Sequence, residues 1–383
     1  MGGRRSRNRG AALSLAAAVA ALALALGLAA CGGGGGIESG SGGNAETVKL
    51  QGKPSGSLTI SNWPLYIDKG TVPAFEKQTG ISVKYIEDIN DNAEFFGKMQ
   101  PLLAQGQSGG RSIFVLADWM VNKMFELGYL QNLDKAGIPN VEANLSPTLR
   151  HPGFDPNRDY TVPWQSGMTG AIVRTDLAPE VRSICDLFDP KYKGKVDMLS
   201  ELRETVPLVM KCMGIDPDTA TEADWLNTID KIKGAVESGQ IRRFTGNDYA
   251  RDLTSGDAVA VIGWSGDAVQ LTADNKNVRF KNPKEGFMVF TDSMQIPVGA
   301  PHAYTAEKMI DFVYDPEIAA KIAAYVNYVP PVKGTKEVLA KSDPEIASSP
   351  LLFPNLSNAH NFKTFSPTDE REIDAAFQKA IGA

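Results

Sequence analysis

The chain carries little with which to do metal or covalent chemistry. Histidine occurs three times in 383 residues, as His151, His302 and His360. Each is isolated in sequence, and none stands in an HExxH pattern or beside a second ligand type at metal spacing, which argues against a metal centre. Cysteine is equally scarce, and none of the three has the CxxC spacing of a metal or redox motif. There is no GxxxxGKS/T run and no GxGxxG after an expected strand, so phosphate-cradling backbone is not signalled. Gly263-Trp264-Ser265-Gly266-Asp267 comes near the G-x-S-x-G nucleophile elbow, but Asp267 stands where that turn needs glycine. Positive charge is not in excess either: 39 Lys+Arg against 45 Asp+Glu give a net charge of -6, the wrong sign for a general nucleic-acid binder. These absences leave a non-catalytic binder with no metal or cofactor expected.

What is present starts with an address. Arg4, Arg5, Arg7 and Arg9 precede an apolar stretch from Ala11 to Ala30, broken by Ser14 and Gly27, and then Leu28-Ala29-Ala30-Cys31-Gly32. Charge, apolar run and small residues before a cysteine read as a lipoprotein signal peptide over 1–30, with Cys31 as the lipidated residue. An apolar run of about 20 residues can also span a bilayer; the cysteine at its end and the polar spacer behind it favour the lipoprotein reading. Residues 31–56 are Gly, Ser, Asn and single charges without apolar period, a flexible tether on a lipid-held Cys31. The expected location is extracytoplasmic, at the outer face of a membrane or in the periplasm. All the basic residues of the leader are those four arginines, so the remaining chain is more acidic still and suits a cationic ligand. Cys185 and Cys212 are left as a pair that is either a disulfide or two separate thiols.

Hydrophobic residues make up 43%, enough over this length for two ordinary domains or one large one. Leu58 to Ser61 and Ile81 to Tyr85 alternate as strands around a helical stripe at Val72 and Phe75. Phe95, Met99, Leu102 and Leu103 share a helical face, and Ile113 to Leu116 is a continuous apolar strand run, so the start is βαβαβ with parallel pairing. Thr221-x-x-Asp224 caps a helix bearing Trp225, Ile229 and Ile232, and Val259 to Ile262 is another buried strand. Met309, Phe312 and Val313 form one stripe, Asp315-Pro316 restarts the helix, and Ile373 and Phe377 mark the last one.

Specific segments carry a family likeness. Asn62-Trp63-Pro64-Leu65-Tyr66 after the first strand resembles the Asn-Trp-x-x-Tyr opening of the spermidine/putrescine-binding proteins, the extracytoplasmic receptors of polyamine ABC transporters. Phe75 to Ile81, Tyr160 to Trp164, Asp186 to Lys195, Asp292 to Pro297 and Tyr328 to Pro331 follow in the family's order, over about residues 57–383. The resemblance implies an α/β, two-lobed, periplasmic-binding-protein-like fold of type II, with a hinge of two chain crossings and a cleft between lobes. Lobe one would be 57–165 and 291–333, and lobe two 166–290 and 334–383. It further implies a monomer that captures a polyamine and delivers it to the membrane permease subunits.

Such a ligand needs carboxylates at intervals and flat apolar walls between them. By resemblance, Trp63, Tyr66, Trp264 and Tyr328 match the family's aromatic walls, with Trp119 where the family has a tyrosine. Glu201, Glu204 and Asp292 match its acids, and Asp118 is a further candidate acid beside Ala117, which replaces a hydroxyl residue. Phe290 replaces a tryptophan. Arg203 reads as a partner that orients the acids, Trp164 as hinge packing, Asp267 as exposed, and Glu87, Asp88 and Asp91 as a water-facing acidic turn. Two other functions stay open on residues alone: a binder of another small solute such as an oligosaccharide on the same fold, or an extracytoplasmic enzyme, for which no nucleophile or base constellation is found.

Overall fold

The computed structural model describes residues 55–355, 359–360 and 365–382; the expected signal peptide, Cys31 and nearly all of the expected tether lie outside the described residues. The chain opens as β1 (Ser57–Asn62), α1 (Thr71–Thr79), β2 (Ser82–Glu87), α2 (Asn92–Leu103) and β3 (Ile113–Ala117), with β1 parallel to both β2 and β3. Helices α3 (Asp118–Glu126) and α4 (Pro139–Asn144) then lead into a long strand, β4 (Thr161–Arg174). A second run follows: β5 (Val196–Leu199), α5 (Leu202–Cys212), α6 (Glu222–Glu237), β6 (Ile241–Thr245), α7 (Tyr249–Ser255), β7 (Ala260–Trp264), α8 (Ser265–Asp274) and β8 (Val278–Lys281). Here β5 is parallel to β6 and β7. The chain returns through β9 (Phe287–Gln295) to α9 (Ala303–Phe312), α10 (Pro316–Val326), α11 (Thr335–Ser342), α12 (Pro344–Ala347), β10 (Ala359–His360) and α13 (Pro367–Ile381).

The strand order β2-β1-β3-β9-β4-β7-β5-β6 sets two parallel halves on either side of an antiparallel centre. β4 pairs with β9 from Thr161↔Gln295 to Thr169↔Met288 and with β7 from Thr169↔Trp264 to Val173↔Ala260. Within the sheet the two chain passages between the halves are therefore β4 and β9; outside it the chain crosses once more to reach α13. All but the last residue of β4 is buried, as a strand covered on both faces must be, and its only proline interior, Pro163, sits at a register shift where no ladder donor is needed. Helix starts obey local rules: Thr221 and Asp224 form a reciprocal capping box at α6, and the Asp315 side chain accepts from the Glu317 and Ile318 amides at α10. Helix α11 packs beside α10 and α12 beside α11, while α13 packs on α6. Cys185 and Cys212 are bonded, with Cα atoms 5.1 Å apart, which resolves the two open readings of that pair in favour of the disulfide. Among the described residues no helix is long and apolar enough to cross a membrane.

Candidate binding site

The ends of strands from both halves converge on one cavity. After β1 the chain turns at Leu65, a non-glycine residue with φ 56°, which leaves that side chain 52% exposed and directs Trp63 and Tyr66 inward. Trp63 Nε1 donates to the Val115 carbonyl at 3.1 Å, and its ring meets Trp264 of the other half edge-on at 5.7 Å. Tyr66 donates its hydroxyl to Asp292 Oδ2 at 2.9 Å, and Trp164 backs Tyr66 from behind, its Nε1 donating to the Tyr66 carbonyl. Asp292 lies on β9 opposite Ala117 of β3 and Gln165 of β4, on one of the two passages between halves.

The second half supplies two more carboxylates. Glu204, in the first turn of α5, accepts at Oε2 from Thr169 Oγ1 and Trp264 Nε1, both at 2.6 Å. Asp267, in the first turn of α8, accepts from Asn247 Nδ2 at 2.9 Å and from the hydroxyls of Tyr249 and Tyr328 at 2.7 Å. Tyr328 follows α10, whose C-cap Asn327 is left-handed with φ 59°, and its ring stands edge-on to Tyr66 at 5.1 Å and Phe290 at 6.0 Å. Gly266 and Gly167 make this stacking feasible: a Cβ on Gly266 would fall inside the Tyr328 ring, and one on Gly167 would strike Phe290 and Tyr328.

Trp63, Tyr66, Phe290 and Tyr328 with Trp264 thus wall a cavity that also meets Asn92, Asn247 and the three carboxylates Glu204, Asp267 and Asp292. Among the described residues no lysine or arginine lines it. Burial pushes the Glu204 carboxyl up to about 7 against the pull of its Thr169 and Trp264 donors. Burial also holds Asp292 well above the carboxylate range, with the Tyr66 hydrogen bond opposing and the nearby Glu204 charge adding. Asp267 is raised by burial too, with its three donors opposing. Acids without an internal counter-charge in apolar surroundings are held in a costly state that a cation would relieve.

Six of the residues singled out on the sequence meet here: Trp63, Tyr66, Glu204, Trp264, Asp292 and Tyr328. Three do not. Asp118 accepts from Ser293 Oγ at 2.6 Å, on a residue adjoining Asp292 but outside the cavity lining. Trp119 lies under the Arg203 guanidinium, 4.1 Å from ring centre to Cζ, and lines a separate outer cleft. Glu201 also faces that cleft, and its Oε1 accepts from both the backbone N and Nδ2 of Asn92 at 2.9 and 2.8 Å. Arg203 pairs with Glu370 and Asp374 of α13 at 3.3 and 4.0 Å and not with the two glutamates beside it.

Asp267, read as exposed, is partly buried and triply bonded instead; its place three residues after Trp264, on the same face of the helix start, is the signal that points to it. In the expected water-facing turn only Glu87 is exposed. Asp88 pairs with Arg111 at 2.6 Å, and Asp91 accepts from Ser200 Oγ of the other half at 2.6 Å. His360 is not isolated in space: Nδ1 lies 2.8 Å from Asp218 Oδ2 with Asp216 in the same group, while Nε2 faces Lys211 Nζ at 2.7 Å. The cluster has ligand types that suit a metal, but an ammonium sits on the second ring nitrogen.

Comparison with known proteins adds a family. The profile of the bacterial extracellular solute-binding proteins matches residues 71–354. A spermidine/putrescine-binding periplasmic protein of Escherichia coli is 27% identical over 307 residues, covering 80% of this chain and 85% of the relative. A putrescine-binding periplasmic protein of the same organism is 28% identical over 321 residues, covering 78% and 83%. The solved structure of a putative spermidine/putrescine ABC transporter protein from Listeria monocytogenes superimposes with a TM-score of 0.76 at 27% identity, covering 85% of this chain and 99% of that one. The expected two-lobed α/β class is therefore the fold of this chain.

Proposed function

The chain belongs to the family of bacterial extracellular solute-binding proteins, and from that premise we propose that its solute is a polyamine of the putrescine/spermidine class. The observation that carries this reading is the composition of the cavity: three carboxylates, five aromatic rings and no internal cation. A polyamine is a string of methylenes between ammonium charges. Its charges would meet Asp292 and Glu204, and its methylenes would lie against Trp63, Tyr66, Trp264 and Tyr328, each aromatic–cation contact adding on the order of 0.5 to 2 kcal/mol. Asp267 would hold Tyr328 in place and add fixed negative charge. Asp118, Trp119 and Glu201 would act on the ligand only indirectly, since their present partners lie elsewhere.

Lobe one is assigned to 57–165 and 291–333, and lobe two to 166–290 and 334–383; within that last stretch α13 packs on α6 of lobe two, whereas α11 packs against α10 of lobe one and α12 against α11. Closure of the lobes about β4 and β9 would enclose the ligand and shape a surface for the permease of an ABC transporter. A lipid on Cys31 would hold the monomer at the outer face of the membrane, and metabolic lipid labelling lost in Cys31→Ser would support that anchor. Calorimetric titration with putrescine, spermidine and maltose tests the ligand class. Binding of either amine and not of maltose is expected; binding of maltose alone would transfer the site to the sugar-type reading.

A further inference from the structure

We infer that the Asn92–Glu201 pair sets the length of polyamine the cavity accepts, admitting a diamine and turning away a third ammonium; this rests on the polyamine reading above. Two carboxylate oxygens of the cavity have no protein donor among the described residues. Glu204 spends Oε2 on Thr169 and Trp264, leaving Oε1, and Asp292 spends Oδ2 on Tyr66, leaving Oδ1. Asp267 is different. Its Oδ1 takes Tyr328 and its Oδ2 takes both Asn247 and Tyr249, so it fixes the wall and has little capacity left. The cavity therefore has open acceptors for two ammonium groups, not three.

A longer polyamine would have to carry its third charge past Asn92. That residue is 2% exposed, it lines the inner cavity, and its Oδ1 is held by the Ala117 amide at 3.0 Å. Its amide and backbone N–H groups both point to Glu201, itself 2% exposed, which lines the outer cleft. Asn92 belongs to α2 and Glu201 to the start of α5, so the partition closes only when the two halves meet. A third ammonium could be neutralised by Glu201, but only if Glu201 releases Asn92, leaving a buried amide without its acceptor. Removing the Asn92 side chain frees Glu201 for that purpose and opens the inner cavity to the outer cleft.

Titration calorimetry with putrescine and spermidine on the wild type, Asn92→Ala and the double variant Asn92→Ala/Glu201→Gln decides the matter. The wild type is expected to bind putrescine at least about tenfold tighter than spermidine. Asn92→Ala should move that ratio by about tenfold or more toward spermidine, and Asn92→Asp, which sets a second carboxylate against Glu201, should shift it the same way if the alanine variant does not fold. Glu201→Gln removes the charge that would meet a third ammonium while keeping an acceptor for Asn92, so the double variant Asn92→Ala/Glu201→Gln should lose the gain in relative spermidine affinity that Asn92→Ala shows. Equal or tighter spermidine binding by the wild type, or an unchanged spermidine gain in the double variant, would overturn the inference while leaving the polyamine reading intact. A wild type that binds neither amine would overturn both.

Discussion

At the scale of single residues, the site works because small and charged positions hold each other in place. Gly266 has no Cβ where the Tyr328 ring passes. Gly266→Ala is therefore expected to displace Tyr328, break its bond to Asp267 and weaken putrescine binding by about tenfold or more with the fold retained, since overpacking costs of about 1 to 3 kcal/mol are borne locally. Circular dichroism with titration checks it; unchanged affinity would show that Tyr328 is not a wall. Glu204 makes binding pH-dependent. Its folded carboxyl is raised from 4.5 to about 7, and a cation selects the ionised form, so putrescine affinity should fall as pH drops through about 7, by up to about tenfold per pH unit for each group titrating. The linkage for stability has the opposite sign. A raised carboxyl binds more protons folded than unfolded, so the ligand-free protein should lose stability as pH rises from about 4.5 through 7, and saturating putrescine should cancel that loss. Thermal melts and titrations between pH 5.5 and 8 measure both trends, and tighter binding at the acid end would contradict them. Asp267 escaped the sequence reading for a physical reason: its three donors lie 18, 20 and 61 residues away in the chain, and local pattern carries no trace of them.

At the scale of elements, short-range rules made much of the fold legible. The Thr221–Asp224 box, the Asp315-Pro316 restart and the apolar runs at Ile113 and Val259 each state their structure in a few adjacent residues. β4 was harder to read. Only its first residues stood out, as a crossover segment, because a strand buried along nearly its whole length shows no alternation and Gly167 and Gly170 interrupt its apolar run. The placement of Glu201 was likewise beyond local reading, since its partner Asn92 is 109 residues distant. Residue type suggested either a thiol pair or a bond at Cys185 and Cys212; only the fold brings the start of a 3-10 turn, Ile184–Phe188, near the end of α5. That bond closes a loop with a sequence separation of 27, so reduction is expected to lower unfolding stability by about 3.5 kcal/mol on chain-entropy grounds. Urea unfolding with and without reductant measures it, and coincident midpoints would show that the cross-link constrains nothing the folded lobe needs.

At the scale of the whole molecule, the acidic balance of the chain is focused into one enclosed place. Asp292 sits on β9, Glu204 on α5 and Asp267 on α8, so carboxylates from a passage strand and from the second half face aromatic rings of the first. Among the described residues no lysine or arginine lines the cavity to balance these acids, and on the proposed function a cationic ligand would be the counter-charge that makes closure of the halves favourable. Asp292 is central because it lies where the chain passes between halves and because Tyr66 aims it. Asp292→Asn keeps the shape and an acceptor for Tyr66 and removes only the charge. The account predicts that calorimetric titration of this variant with putrescine will show affinity at least about thirtyfold below wild type, from the roughly 2 to 5 kcal/mol carried by one member of a shielded charge pair. Without ligand the variant should be no less stable than wild type, because burial disfavours the Asp292 carboxylate. Wild-type affinity for putrescine in a folded Asp292→Asn protein would contradict the account at its centre.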